Sequence, residues 1–303
     1  MSSEHKDVDQ HSGTETTGHE WDGIKELNTP LPKWWLYTFY VTVVWALGYF
    51  IVFPAIPYFD GSKWDATGGV INYDQRAVVA EAVEENEARL KPYTEAIVKA
   101  SFQEILADQE LMDVAYAGGS IAFKENCAGC HGTGAQGFVA FPNLNDDDWL
   151  WGGTIEDIHQ TITHGIRWEQ DYDTRYSQMP SFGSDEILEK EDIKDVTQYV
   201  MQLGGLDHSA EAAARGATVF EEQCSVCHAA DGKGDKTQGA PNLTDAIWLF
   251  GSDRETIYET IYYARNSVMP AWKERLDEAT IKKLAVYVYS LGGGVEPSDA
   301  AAR

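Results

Sequence analysis

Two short stretches of sequence decide the fold of this chain. They are Cys127-Ala128-Gly129-Cys130-His131 and Cys224-Ser225-Val226-Cys227-His228. The chain has 303 residues and four cysteines, so every cysteine lies in one of these two stretches. No cysteine is left over for a structural disulfide, and the pattern therefore indicates a dedicated chemical purpose for both pairs.

The spacing C-x-x-C-H is the attachment sequence of a c-type haem. Two thiols three residues apart can form thioethers to both vinyl groups of one porphyrin, and the histidine that follows then lies under the iron. A thioredoxin-like redox pair or half of a zinc site also uses C-x-x-C. Both alternatives are disfavoured, because histidine follows in both stretches and no strand-rich pattern surrounds them. The sequence therefore predicts two covalently bound c-type haems. The predicted residues are Cys127, Cys130, Cys224 and Cys227 as thioethers, with His131 and His228 as axial iron ligands.

The sixth iron ligand must come from downstream of each motif. After His228 the chain contains no histidine and only one methionine, Met269, which we predict as the ligand of the second haem. Proline follows Met269, and the same dipeptide occurs at Met179, which we therefore predict as the ligand of the first haem. Other residues of the first copy stay open as alternatives, namely Met201, His159 and His164.

Ligation by histidine and methionine favours ferrous iron and leaves no open coordination position. The predicted chemistry is therefore outer-sphere transfer of one electron at a time, and no residue of this chain is predicted to be catalytic. The ligand histidine also needs an acceptor for its second ring N–H, and the carbonyls of Pro142 and Pro241 are candidates. Candidates for contacts with the haem carboxylates are Trp149, Trp248, Arg167 and Arg265.

The two motifs lie in an internal repeat. Gly119 and Phe123 precede the first motif as Gly216 and Phe220 precede the second, at an offset of 97 residues. We predict two all-helical domains, 111–206 and 209–294. Each closes with a helix that ends at a glycine pair, and the glycine before each motif is predicted to let the closing helix approach closely. The predicted closing helices are Asp192–Leu203 and Thr280–Leu291.

A long uncharged stretch precedes the repeat. No charge occurs in the 26 residues between Lys33 and Asp60, and a helix needs about 20 residues to cross the hydrocarbon core. Aromatic residues cluster at both ends, as at membrane interfaces. We predict an uncleaved transmembrane anchor over 33–59 whose helix ends near Phe53. The anchor has no ionisable residue at membrane depth, so this chain alone offers no proton pathway.

The remaining segments are polar. Residues 1–32 are predicted to be a flexible tail, and 295–303 a C-terminal tail. Residues 60–110 are predicted to be a charged helical spacer that Pro92 interrupts. The net charge of −26 effectively excludes a nucleic-acid binder. It fits either solubility in a salty habitat or the steering of a basic redox partner.

Each copy resembles a class I cytochrome c domain, through G-x-x-x-F-x-x-x-C-x-x-C-H, P-N-L, M-P and Y-x-x-x-L-G. The whole chain resembles the dihaem subunit III of the cbb₃-type (C-type) haem–copper cytochrome c oxidases. Its opening, Glu26-Leu27-Asn28-Thr29-Pro30-Leu31-Pro32-Lys33-Trp34-Trp35 followed by one helix, is similar to the opening of that subunit. The fold expected is therefore all-α, with one N-terminal transmembrane helix and two tandem class I cytochrome c domains.

The resemblance also implies a function. The chain would pass electrons from a cytochrome c donor to a monohaem subunit and then to the oxygen-reducing catalytic subunit. It would cross the bacterial inner membrane once, with the N-terminus in the cytoplasm and the haem domains in the periplasm. The alternative is a free membrane-anchored dihaem shuttle, or the cytochrome subunit of a periplasmic dehydrogenase. The first copy has a longer insert before its methionine, 165–178, whose function the resemblance does not supply.

Overall fold

The computed structural model describes residues 7–295, and this part of the chain is mostly helical. The helices are α1 (Lys33–Val52), α2 (Gln75–Lys99), α3 (Phe102–Ala107), α4 (Gln109–Asn126), α5 (Ala128–His131), α6 (Ile155–His164), α7 (Lys190–Leu203), α8 (Ala210–Gln223), α9 (Ser225–His228), α10 (Arg254–Tyr263) and α11 (Glu278–Tyr289). The strands are β1 (Thr16–Trp21), β2 (Ile24–Leu27), β3 (Pro57–Phe59) and β4 (Trp64–Ala66). The chain divides into two compact units between Glu87 and Ala88, and the all-α prediction is confirmed. Most of the predicted C-terminal tail lies outside the described residues.

The N-terminal segment contains a β-hairpin where a flexible tail was predicted. Strands β1 and β2 pair antiparallel, with Trp21 opposite Ile24. The two residues between them, Asp22 and Gly23, both have positive φ, at 51° and 82°. Asp-Gly with this geometry is the preferred two-residue hairpin turn, because its twist matches that of the strands. The polar composition of the segment hid this turn signal.

Helix α1 is the predicted membrane anchor. It has 20 residues and a mean hydropathy of 1.6, and none of its residues is buried. At 1.5 Å per residue it is about 30 Å long, which matches the hydrocarbon core of a bilayer. It ends at Val52, and Phe53 is its C-cap immediately before a proline, which agrees with the predicted end near Phe53. Within the described residues it is the one helix long and apolar enough to cross a membrane.

The predicted spacer differs from the structure in two ways. Helix α2 runs continuously through Pro92, and the break comes instead at Ser101, whose hydroxyl accepts from the backbone of Glu104 and starts α3. This reciprocal capping box fixes the start of α3. Ile97 and Ile105 are fully buried in the core beside α4, so the end of the segment is part of the globular unit.

The two closing helices are exchanged between the sequence copies. Helix α4 of the first copy packs against α11 of the second, and α7 of the first copy packs against α8 of the second. A Cβ on Gly119 would overlap the backbone of Lys283, and Phe123 contacts Tyr287 with ring centroids 5.4 Å apart. The predicted close approach at the glycine is therefore confirmed, but the helix that approaches belongs to the other copy.

The second interface repeats the first. A Cβ on Gly216 would overlap the backbone of Asp195, and Phe220 contacts Tyr199 at 5.2 Å. The cause lies in the connection between α7 and α8, which consists of residues 204–209 alone. A connection this short makes consecutive helices antiparallel neighbours. Helix α11 is then the closing helix left to cover α4. The segments 111–206 and 209–294 therefore do not form self-contained cores, since each core takes helices from both copies.

Candidate haem-binding sites

The backbone places both cysteines and the histidine of each motif on a single turn. Cys127 ends α4 and starts α5, with its N–H bonded to the carbonyl of Phe123 at 2.8 Å. The N–H of His131 bonds to the carbonyl of Cys127 at 2.9 Å. Cys224 and His228 repeat this arrangement around α9. The three side chains of each motif therefore project from one turn of helix, as attachment to one porphyrin requires.

The half-buried cysteines are not activated thiols. Burial, and the neighbouring Cys130, raise the pKa of Cys127 to about 11. Burial and Cys227 raise the pKa of Cys224 to about 11 as well. A redox-active or metal-binding cysteine needs a depressed pKa. The environment therefore favours a neutral sulfur, such as a thioether, over a thiolate.

The histidine of each motif is oriented by a proline carbonyl. The Nδ1 of His131 lies 3.1 Å from the carbonyl oxygen of Pro142, and the Nδ1 of His228 lies 3.2 Å from that of Pro241. A carbonyl only accepts, so Nδ1 carries the proton and Nε2 keeps its lone pair for a metal. Burial lowers the pKa of both histidines, which keeps the rings neutral. The predicted acceptors are confirmed.

An apolar cleft opens beside the first motif. Its empty space, including the open mouth, is about 740 Å³. The lining comes from both sequence copies and contains one charged side chain, Asp148. The residues that line it are Phe123, Cys127, His131, Pro142, Asn143, Leu144, Asp148, Trp149, Leu150, Trp151, Gly152, Ile158, Thr161, Ile162, Ile166, Met269, Leu284 and Val288.

Met269 lies in the cleft of the first motif. It lines the same space as Cys127 and His131, and it packs against the core that contains α4 and α11. Its backbone is paired with Ile166 in both directions, at 2.9 Å and 3.0 Å, so the loop that presents it is fixed. Sequence reasoning paired Met269 with the second motif, and the structure differs from that pairing.

Met179 packs against the other core, which contains Phe220 and against which Cys224 also packs. Its N–H donates to the side-chain oxygen of Asn266 at 3.1 Å, and its carbonyl accepts from the amide of Asn266 at 3.2 Å. The structure thus places Met179 in the core of the second motif, whereas sequence reasoning paired it with His131 of the first. Both methionines cross to the other motif because they are carried along with the exchanged helices.

The open alternatives lie outside the cleft. His159 packs against Phe102, with ring centroids 5.3 Å apart. His164 bonds through Nδ1 to the buried carboxylate of Asp171 at 3.0 Å. Met201 is buried in the second core. None of the three lines the cleft beside His131 in the described part of the chain.

The insert 165–178 ties the two methionine segments together. Arg167 donates through Nε to the carbonyl of Ser267 at 2.9 Å and through Nη1 to that of Ser177 at 2.7 Å. Its donors therefore hold backbone, whereas sequence reasoning proposed a haem carboxylate. Trp149 is also engaged, since its indole N–H donates to the carbonyl of Gly293 at 2.6 Å. Sequence reasoning missed Arg175, which lies four residues before Met179, as Arg265 lies four before Met269.

The residues around the cleft fit a c-type haem. Two sulfurs lie on one turn, a neutral imidazole has a free Nε2, and a thioether lies in the same apolar cleft. These are the donors expected for a low-spin haem iron that transfers electrons.

Comparison with known protein families matches three segments of the chain. Residues 13–60 match the N-terminal domain of cytochrome oxidase-cbb3, FixP. Residues 115–204 match the family of cytochrome c, and 211–288 match cytochrome c oxidase, cbb3-type, subunit III.

The similarity to curated proteins extends over nearly the full length of this chain. The cbb3-type cytochrome c oxidase subunit CcoP of Cereibacter sphaeroides is 51% identical over 279 residues, which cover 92% of this chain and 95% of that protein. The subunit FixP of Bradyrhizobium sp. is 51% identical over 292 residues, 96% of this chain and 99% of its own. FixP of Rhizobium meliloti is 46% identical over 294 residues, with 97% and 100% covered.

Proposed function

This chain belongs to the CcoP/FixP family, subunit III of the cbb3-type cytochrome c oxidases, and on this premise we propose that it carries two haems whose axial ligands cross between its sequence copies. In this arrangement His131 and Met269 ligate one iron, and His228 and Met179 ligate the other. The observation that carries the proposal is the presence of Met269 in one cleft with Cys127 and His131. The chain is an electron-transfer subunit of an inner-membrane oxidase and binds c-type haem.

Bound haem supplies a one-electron couple, and the protein supplies the rest. The proline carbonyls hold each imidazole in the tautomer that leaves Nε2 free. The apolar lining excludes water, and with it the solvent relaxation that electron transfer would otherwise have to drive. With a methionine as the second iron ligand, a bound haem would offer no open position to oxygen, so reduction of oxygen would belong to another subunit.

The topology and partners are part of the proposal. We place the N-terminal hairpin in the cytoplasm, α1 across the inner membrane, and the haem-binding unit in the periplasm, where c-type haem is attached. Electrons would enter from a cytochrome c and leave toward the monohaem and catalytic subunits. The net charge of −26 supports a basic donor, because opposite charge speeds encounter. That encounter rate should then fall as salt is added.

The ligand pairing can be tested by NMR on the reduced, full-length protein in detergent. The methyl group of a ligand methionine lies against the porphyrin and is shifted strongly by its ring current. With ¹³C-methyl methionine, Met269→Ala should remove the shifted methyl that contacts Leu284 and Val288, which line the cleft of the first motif. Met179→Ala should remove the other shifted methyl.

Met201→Leu serves as the control, since it alters a buried methionine to a residue of similar volume and should leave both shifted signals. If Met179→Ala instead removes the signal that contacts Leu284, the ligands follow sequence order and the crossed pairing is wrong. If the protein shows one haem or none, the dihaem proposal itself fails.

A further inference from the structure

Arg175 is a buried cation with an unused donor. Its side chain is 11% exposed, and its Nη2 donates to the carboxylate of Asp157 at 2.9 Å. Among residues 7–295, its Nε is buried and has no hydrogen-bond partner. Leaving a buried donor unpaired costs about 1–3 kcal/mol, and more when the group is charged. A buried guanidinium nitrogen in this state points to an acceptor outside the protein chain.

The guanidinium lies at the edge of the haem cleft. It stacks over the ring of Trp151, with its carbon 5.8 Å from the ring centroid. Trp151 lines the cleft, and so do Ile158 and Thr161 of α6, the helix that carries Asp157. Trp151 is 6% exposed and is packed against Gly239, where a Cβ would overlap its ring. Arg175 is therefore held between a fixed indole and α6.

The cleft needs a cation that its lining does not provide. A c-type haem carries two carboxylates, and a carboxylate taken out of water requires a charged or hydrogen-bonding partner. The side chains that line the cleft include no lysine or arginine, and Asp148 among them is acidic. Arg175 stands at the rim with a free nitrogen, and its present partner, Asp157, is one-third exposed.

We propose that Arg175 binds a carboxylate of the haem attached at Cys127 and Cys130, with its Nε as the donor. This inference rests on the proposed function, since it assumes a haem in that cleft. Arg175 is thereby a positioning residue that sets the charge next to the porphyrin. The segment from Arg175 to Met179 then serves both haems, holding a carboxylate of one and the iron of the other.

The second copy contains an equivalent arginine in a different state. Arg265 lies four residues before Met269, and its guanidinium carbon lies 5.4 Å from the ring centroid of Phe250. Its Nη2 is paired with Glu259 at 2.6 Å. Over the described range 7–295, the Nε of Arg175 is the one buried side-chain donor without a partner, so the Nε of Arg265 is not in that state. The proposal is therefore made for Arg175 alone, and Arg265 provides a matched position.

The experiment uses the full-length, haem-loaded protein in detergent and measures both midpoint potentials from mildly acidic to mildly alkaline pH. Arg175→Gln removes a positive charge beside one haem, which favours the ferric state and lowers its potential. We expect roughly a tenfold change in the reduction equilibrium, which is about 59 mV for one electron. The lost partner also raises the pKa of the carboxylate, so the potential should recover as the pH falls and the carboxylate becomes neutral. The affected haem is identified by its NMR contacts with Leu284.

Asp157→Asn separates this function from a structural one. It breaks the ion pair but keeps the charge and Nε of Arg175, so the same potential should stay constant or rise. Arg265→Gln should leave the potential of the haem that contacts Leu284 within about twofold of the native equilibrium, or roughly 18 mV. If the Arg175→Gln variant does not retain haem, Arg175→Lys replaces it. Lysine keeps the positive charge but not the planar guanidinium donor. The midpoint potential of this variant should therefore show the new pH dependence with a smaller decrease.

Two results would overturn the inference. One is a native potential and a native pH profile in the haem-loaded variant of Arg175. The other is an equal fall in potential in Asp157→Asn, which would make Arg175 a link between Trp151 and α6 and nothing more. If the redox titration of the native protein does not show two haem transitions, the proposed function is refuted instead. The two failures can therefore be told apart.

Discussion

Replacement of Gly119 with alanine tests the exchange of the closing helices. The added Cβ would overlap the carbonyl oxygen of Lys283 and lie 2.7 Å from the Cβ of Tyr287. Carbon atoms in contact normally lie about 3.5–4.0 Å apart, so α4 and α11 must separate by about 1 Å. Overpacking costs about 1–3 kcal/mol, and the upper end applies because the neighbour is backbone that cannot rotate away. Alanine returns about 1 kcal/mol of helix propensity, which leaves a net loss of about 2 kcal/mol.

Amide hydrogen exchange measured by mass spectrometry shows which helix loosens. A loss of about 2 kcal/mol corresponds to roughly 30-fold faster exchange through the affected opening. We expect it in α11, with α7 unchanged. Gly118→Ala is the control, because it has the same helix propensity gain and its Cβ meets only the flexible side chain of Lys283, at 2.9 Å. Faster exchange in α7, with α11 unchanged, would show that each copy closes on its own helix and would refute the exchange.

Three further substitutions and one truncation probe the same scaffold. Lys282→Met should loosen the end of α2, because Nζ of Lys282 binds backbone carbonyls there at 2.7–3.3 Å. We expect a loss of about 1–3 kcal/mol of local stability, detected as faster protease cleavage before α3. An unchanged cleavage rate would contradict this. Burial and Asp245 raise the pKa of Asp148 to about 6, so its negative charge develops as the pH rises through that value and should lower the midpoint potential of the adjacent haem. Asp148→Asn should abolish this dependence of the potential on pH. A native potential that is constant across this pH range would contradict the prediction. Asn266→Leu should free the Met179 segment and let carbon monoxide bind the reduced haem of the second motif, whereas a fully ligand-resistant variant would show that the clamp is dispensable. A chain ending at Asp207 lacks α11, which packs on α4, so we expect no protease-resistant core around the first motif, and a folded, protease-resistant domain from it would be incompatible with the exchange.

Local features of the sites were predictable because they depend on neighbouring residues. The C-x-x-C-H spacing fixes the turn that carries Cys127 and His131. The repeated Pro-Asn-Leu sequence identifies the carbonyl of Pro142 as the acceptor for His131. The uncharged run after Lys33 likewise predicts α1 almost to its last residue. None of these features requires knowledge of which helices pack together.

The exchange was missed because a repeat alignment pairs equivalent residues of the two copies and carries no information on which helices pack together. Aligning Met179 with Met269 shows that they are equivalent, but it does not show which motif each one faces. The signal that was available is the length of the connection between α7 and α8, residues 204–209, which forces these helices to be neighbours. The donor state of Arg175 could not be predicted at all, since it depends on the burial of one nitrogen atom.

The exchange would make the two proposed haem sites a single mechanical unit. The segment that carries Met269 is paired with Ile166 of the first copy, and the segment that carries Met179 is held by Asn266 of the second. Arg167 binds the backbone of both segments. A displacement of either methionine must therefore strain the other, because packed elements do not deform independently. An electron carrier would gain from this arrangement, since the spacing of the two proposed haem sites would be set by one shared scaffold and not by the docking of two separate domains.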